Sequence, residues 1–145
     1  MSNEKNFEEF SAITALILGR SFSNFPIASD IDFNRIAQSM GLSDIQAKLE
    51  SGRVFQVVAA HTLKWLMDND YVRAAGVLPR DRVSITDKGL AGMRAKSGTG
   101  ISFGEEIEQK STGANTSEGR RNLAEVIGSF VGSAAGSFTK SLSGG

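Results

Sequence analysis

The chain has 145 residues, 40% of them apolar and 22% charged, and its 16 basic residues balance its 16 acidic ones. That is the length and composition of one globular domain with room for a tail, and the zero balance argues against a protein that coats nucleic acid over its whole surface. The absence of cysteine excludes disulfides, a thiol nucleophile and cysteine-ligated metal or iron–sulfur centres, and it fits a reducing compartment. Met1 to Asn6 lack the basic-then-apolar order of a secretory leader, and no apolar run approaches the ~20 residues a bilayer requires. The expected location is cytoplasmic.

The first expected element starts near Asn6, which can cap a helix with Glu9 three residues on. Phe7, Phe10, Ile13, Thr14, Ile17 and Leu18 then recur at helical spacing, and Gly19 is the expected terminator. Residues 21–31 read as an extended connection around Pro26, with Phe25, Ile27 and Ile31 turned to the core. A short helix from Phe33 to Met40 follows, capped by Asp32 and stopped at Gly41. Asp44 to Glu50 reads as a short helix or helical turn. Gly52 marks the junction to a helix from Arg53 to Asn69, whose Phe55, Val58, Ala59, Thr62, Leu63 and Leu66 share one face.

The period then changes. Residues 71–75 and 82–86 are strand-like runs around a turn at Gly76 to Asp81, which makes a β-hairpin. Thr86 can cap a helix from Asp87 to Lys96 that buries Leu90 and Met93. Beyond it the composition shifts. Ser97 to Gly100 reads as a flexible linker, Ser102 with Glu105 can cap a short acidic helix ending near Lys110, and residues 111–117 are a second linker. A final helix spans Glu118 to Leu142. The expected organisation is therefore a domain at 1–96, a linker with a short helix at 97–117, and a glycine-rich helical tail at 118–145, in a chain that is mainly α with a small β-hairpin. Residues 97–145 hold too few large apolar side chains for a second core.

Three stretches resemble the winged helix-turn-helix superfamily over residues 7–96. Ile36-Ala37-Gln38-Ser39-Met40-Gly41-Leu42-Ser43 resembles the first helix and turn, in which a small residue permits close approach and glycine makes the turn. Thr62 to Val72 resembles the end of the recognition helix running into the first wing strand. Val83-Ser84-Ile85-Thr86-Asp87-Lys88-Gly89-Leu90 resembles the second wing strand and the helix after it. Ser43 to Tyr71 is about eight residues longer than a compact version needs, so the recognition helix starts late. The resemblance implies a DNA-binding transcriptional regulator of the bacterial or phage type. Its alternative is an adaptor, since winged helices also bind protein.

On that reading the outward face of the recognition helix carries Arg53, Gln56 and Lys64, with Val57 and Ala60. Arg and Gln suit guanine and adenine edges, and small apolar groups suit a thymine methyl. Around the hairpin, Arg73, Arg80, Arg82 and Lys88 can reach phosphate or the minor groove. Residues 71–96 hold six cations against Asp81 and Asp87, a formal +4. A solvated helix face and a hairpin tip charged for solubility are the plainer alternatives.

His61, Trp65 and Tyr71 read as packing groups. No Ser-His-Asp order, paired glutamates or metal-ligand spacing surrounds them, and Gly98, Gly100 and Gly104 lack the Gly-Lys-Ser/Thr ending of a phosphate loop. No enzyme, cofactor or metal is expected. In the tail, Ala124, Gly128, Gly132 and Gly136 recur every four residues and would form a smooth groove for a second helix, which makes a homo-oligomer the expected state. A disordered glycine–serine tail is the plainer alternative. Its apolar stretch is too short to span a bilayer, and its few basic groups limit it to weak peripheral membrane contact.

Overall fold

The structure is a computed structural model that describes residues 2–76 and 82–143, with side chains described within 4–76 and 82–133. Its order is α1 (Ser2–Asn24), β1 (Ser29–Asp30), α2 (Phe33–Ser39), α3 (Phe55–Asp68), β2 (Val72–Ala74), β3 (Arg82–Ile85), α4 (Asp87–Arg94), α5 (Phe103–Ser111) and α6 (Ser117–Ser143). The described chain is thus mainly helical, with a small three-stranded antiparallel sheet.

Helix α1 is the axis of the core. Glu9 and the run from Ser11 to Ala15, then Ile17 and Leu18, are buried, and α1 touches α3, α5, α6 and β3. A helix buried on all sides must be apolar or small all round, and Ser11, Ala12, Thr14 and Ala15 meet that requirement. Gly19 does not end the helix. It lies beside α5, where a Cβ would sit in ordinary van der Waals contact with Ile107, 3.9 Å away. Three expected core residues lie outside: Phe7 is 43% exposed, and Phe25 and Ile27 are also exposed, while Ile31 is buried as expected. Phe7 sits on the first turns of α1, where Phe10 is its ring neighbour at 5.9 Å.

The connection after α1, expected to be extended chain, contains a short strand. β1 pairs with β3 (Ser29 with Val83, Asp30 with Arg82), and β3 pairs with β2 (Val72 with Ile85, Arg73 with Ser84, Ala74 with Val83). The order is β1-β3-β2. A strand of two residues carries no readable alternation. Side chains alternate between faces, so Val83 and Ile85 enter the core while Arg82 and Ser84 face out.

Asp32 caps α2, its Oδ1 accepting from Asn34 N at 2.9 Å, and Gly41 ends the turn at φ +80°. All six residues assigned to the inner face of α3 are buried. Asp44 to Glu50, however, is not a helix. It runs as turns into a bridge between Lys48 and Val54, and α3 starts at Phe55 rather than Arg53. The cause is Glu9, a carboxylate only 2% exposed. A buried charge must be paired, and Glu9 accepts from Ser51 N at 2.9 Å, Ser51 Oγ at 2.6 Å and Arg53 Nη2 at 3.4 Å. Those partners fix the loop in a non-helical course.

The C-terminal third departs most from expectation. Residues 96–102 form a tight turn rather than a free linker, with Ser97 N donating to Ile101 O at 2.7 Å and Gly100 at φ +91°. Ser102 Oγ then caps α5 by accepting from Glu105 N at 3.1 Å, and Thr116 Oγ1 caps α6 by accepting from Gly119 N at 3.0 Å. Phe103, Ile107, Leu123, Val126, Ile127 and Phe130 are buried in the same cluster as Ile13, Ile17 and Leu18. The expected boundaries at 96 and 117 are therefore not breaks in packing. These residues make no second core because they complete the first one, on the sides of α1 that α3 and the sheet leave open.

Glu50 ties three segments together. Its carboxylate accepts from Lys5 Nζ at 2.9 Å, Ser117 Oγ at 2.5 Å and the Arg120 guanidinium, and Arg120 Nη1 also donates to Ala114 O at 3.0 Å. The hydrogen bond from Ser117 above all, then that from Lys5 and the nearby Arg120 charge, holds the Glu50 pKa down at about 2, from 4.5. A depressed carboxylate pKa stabilises the fold above the unfolded-state pKa, and that contribution disappears as pH falls from about 4.5 through about 2. Glu50→Gln should therefore flatten the acid limb of stability between those values. Urea midpoints measured across that range check it, and an unchanged limb contradicts it. The effect is modest, because Glu50 is partly exposed.

Candidate functional site

Helix α3 is buried on one side by Phe55, Val58, Ala59, Thr62, Leu63 and Leu66. Its other side is uncovered. Val57, Ala60, His61, Lys64 and Asp68 are exposed, with Val57 at 56%. α3 leads directly through Asp70, at φ 66°, into β2 and the hairpin, so one short turn fixes the helix relative to the sheet.

The structure sorts the residues expected to contact DNA into three groups. Arg53 and Lys88 are held by the fold. Arg53 pairs with Glu9 and with Ser51 Oγ at 3.3 Å. Lys88 Nζ donates to Asn69 O at 2.9 Å and lies 4.6 Å from the Tyr71 ring centroid. There its charge sits at the C-terminus of α3, where a cation is favoured. Gln56 and Lys64 are on α3 with local partners: Gln56 Oε1 accepts from Gln46 Nε2 at 2.6 Å, and Lys64 Nζ lies 2.6 Å from Asp68 Oδ2, one turn on.

Arg73 and Arg82 form the third group. Register puts both on the outward face of the sheet, Arg73 opposite Ser84 and Arg82 two residues before Ser84 on the same strand. Both are exposed. Arg82 Nε is 3.8 Å from Asp30 Oδ1, and Arg73 has no hydrogen bond or ion pair with a described residue. Arg80, the remaining expected contact, lies outside the described residues. Exposed pairs such as Lys64–Asp68 and Arg82–Asp30 are worth roughly 0–1 kcal/mol, so a phosphate can displace the carboxylate from either cation at little cost.

A hollow of about 290 Å³ on the same side of α3 was not anticipated. It lies between α1 and α3 and is lined by Asn6, Phe10, Arg53, Val57, His61 and Trp65, among others. The Phe10 and Trp65 rings meet edge to face at 5.1 Å, and Trp65 stacks on Tyr71 at 5.8 Å. The signal available in the sequence was Val57, an apolar residue one step outside the buried stripe.

In the tail, Ala124 is half-buried, while Gly128 and Gly132 are exposed and a Cβ at either would meet nothing within 4 Å. Gly136 belongs to α6, but its surroundings lie outside the described residues. The groove that these residues would form faces away from the core side, which Leu123, Ile127 and Phe130 occupy. Among the described residues, no three His, Asp or Glu side chains are grouped to hold a metal ion, and no helix is long and apolar enough to cross a membrane. His61 has no hydrogen bond with a described residue. What the arrangement offers is an open surface of cations, an imidazole and small apolar groups. The chain matches no protein-family model, no curated protein and no solved structure.

Proposed function

We propose that the chain is a non-enzymatic winged-helix protein of the cytoplasm that binds double-stranded DNA and acts as a self-associating transcriptional regulator. The order α2, turn, α3, β2, β3, α4 agrees with what the resemblance implies, and β1 adds a third strand on the far edge of the hairpin. The observation that carries the proposal is the uncovered side of α3, with Val57, Ala60, His61 and Lys64, set immediately before a hairpin that turns Arg73 and Arg82 outward. In this reading α3 meets base edges, and Lys64, Arg73, Arg82 and the expected Arg80 meet phosphate. Arg53 and Lys88 drop from the DNA contact set because the fold holds their side chains in place, Arg53 on Glu9 and Ser51 and Lys88 on Asn69 O.

The test is binding to random duplex DNA as a function of salt. Arg73→Ala with Arg82→Ala removes two phosphate contacts, so affinity should fall for every sequence and the slope of log affinity against log salt should shrink by about 2. An unchanged slope in the double variant removes the hairpin from the proposal.

A second reading, the adaptor, has one specific observation in its favour: Arg53, Lys64, Arg82 and Lys88 each face a carboxylate or carbonyl of the protein itself. A chain of zero net charge with its cations so engaged suits a protein partner. It predicts no DNA binding even at low salt. Self-association belongs to both readings and is assigned to Ala124, Gly128, Gly132 and Gly136. Gly132→Leu would block close helix approach, and light scattering should then report a smaller particle than wild type. Equal sizes contradict the assignment.

A further inference from the structure

The hollow between α1 and α3 is lined by apolar and uncharged polar side chains together with Arg53, which is ion-paired with Glu9. Phe10, Val57 and Trp65 supply the apolar surface. The polar side chains around it are Asn6, Arg53, His61 and Thr62, and none of the lining residues is acidic. Thr62 Oγ1 is engaged, donating to Val58 O at 2.7 Å. Asn6 and His61 have no side-chain hydrogen bond with a described residue. Arg53 spends Nη2 on Glu9 and Nε on Ser51, which leaves Nη1 without a partner among the described residues. A concave apolar site with a few convergent donors, close to 300 Å³, is at the small end of ligand sites. Its donors can complement an anion, and its volume admits a single ring or a short branched chain.

From this we infer that the hollow is a binding site for a small apolar monocarboxylate, with the apolar part against Phe10, Val57 and Trp65 and the carboxylate on Arg53. A planar guanidinium suits a carboxylate better than a point charge does, and Asn6 and His61, which also line the hollow, are further donors. The inference rests on the hollow alone.

Trp65 is the only tryptophan in the chain, so its fluorescence reports on the hollow directly. The probe is 3-phenylpropionate, with the tryptophan excited where the probe does not absorb. A ligand of about eleven non-hydrogen atoms should give saturable binding of order 1 mM. The uncharged analogue 3-phenylpropanamide keeps the ring and loses the charge, and should bind about tenfold more weakly, the loss of one charge-assisted contact. Val57→Phe places a ring in the hollow from an exposed position and should abolish binding, with the far-ultraviolet circular dichroism unchanged. No saturable change with the acid, equal affinity for the amide, or unaltered binding by a folded Val57→Phe variant would each overturn the assignment.

Discussion

Phe130→Ala is expected to lower the stability of the chain by about 3–5 kcal/mol. Phe130 is 1% exposed, its ring 5.6 Å from Phe103 and 5.4 Å from Tyr71. α4 makes room for it at Gly92, where a Cβ would come within 2.8 Å of the Phe130 ring. The side chain thereby joins α6 to α4, to α5 and to the start of β2. Truncation to alanine loses the transfer free energy of the ring and leaves a cavity among elements that rigid helices hold apart. A disordered or detachable tail predicts no change. Urea unfolding distinguishes the two, and a midpoint equal to wild type contradicts the packing described above.

Within α6 the same substitution should act in opposite directions at two glycines. Gly119 lies on the first turn, where a Cβ would overlap the carbonyl group of Gly113. All three nearest atoms belong to the backbone of Gly113, so no side-chain rotation relieves the overlap. Gly119→Ala should cost about 3 kcal/mol or more, as severe overpacking does. Gly128 is exposed, and a Cβ there meets nothing within 4 Å. Gly128→Ala should stabilise the protein by up to about 1 kcal/mol, through helix propensity and the lower entropy of the unfolded chain. Thermal unfolding of the two variants side by side reads both signs. Two destabilised variants would mean that α6 is covered at Gly128 as well, and two neutral ones that its first turn is not seated on Gly113.

How much was legible in the sequence follows from the range of each signal. The inner face of α3 could be read residue by residue, because fourteen residues of one regular helix give a period long enough to identify. The caps at Asp32, Thr86 and Ser102 were legible because each is a local hydrogen bond to a nearby amide. The course of Asp44 to Arg53 was not, because it depends on Glu9, more than forty residues away. The role of α5 and α6 was hidden for a related reason. Their composition resembles a linker and a tail, and only the small-residue surface of α1 shows that another layer is needed. Arg53 and Lys88 show the same limit at the site. Their charge is legible in the sequence, whereas their availability depends on Glu9 and on Asn69 O.

The measurement that tests the central proposal most directly is the affinity of the wild-type chain for random duplex DNA from low to physiological salt. Phosphate contacts from Lys64, Arg73, Arg82 and the expected Arg80 predict clear binding at low salt that falls with a log–log slope of about −3 to −4. No binding at any salt, with the protein folded, would contradict the DNA-binding proposal and leave the adaptor in its place.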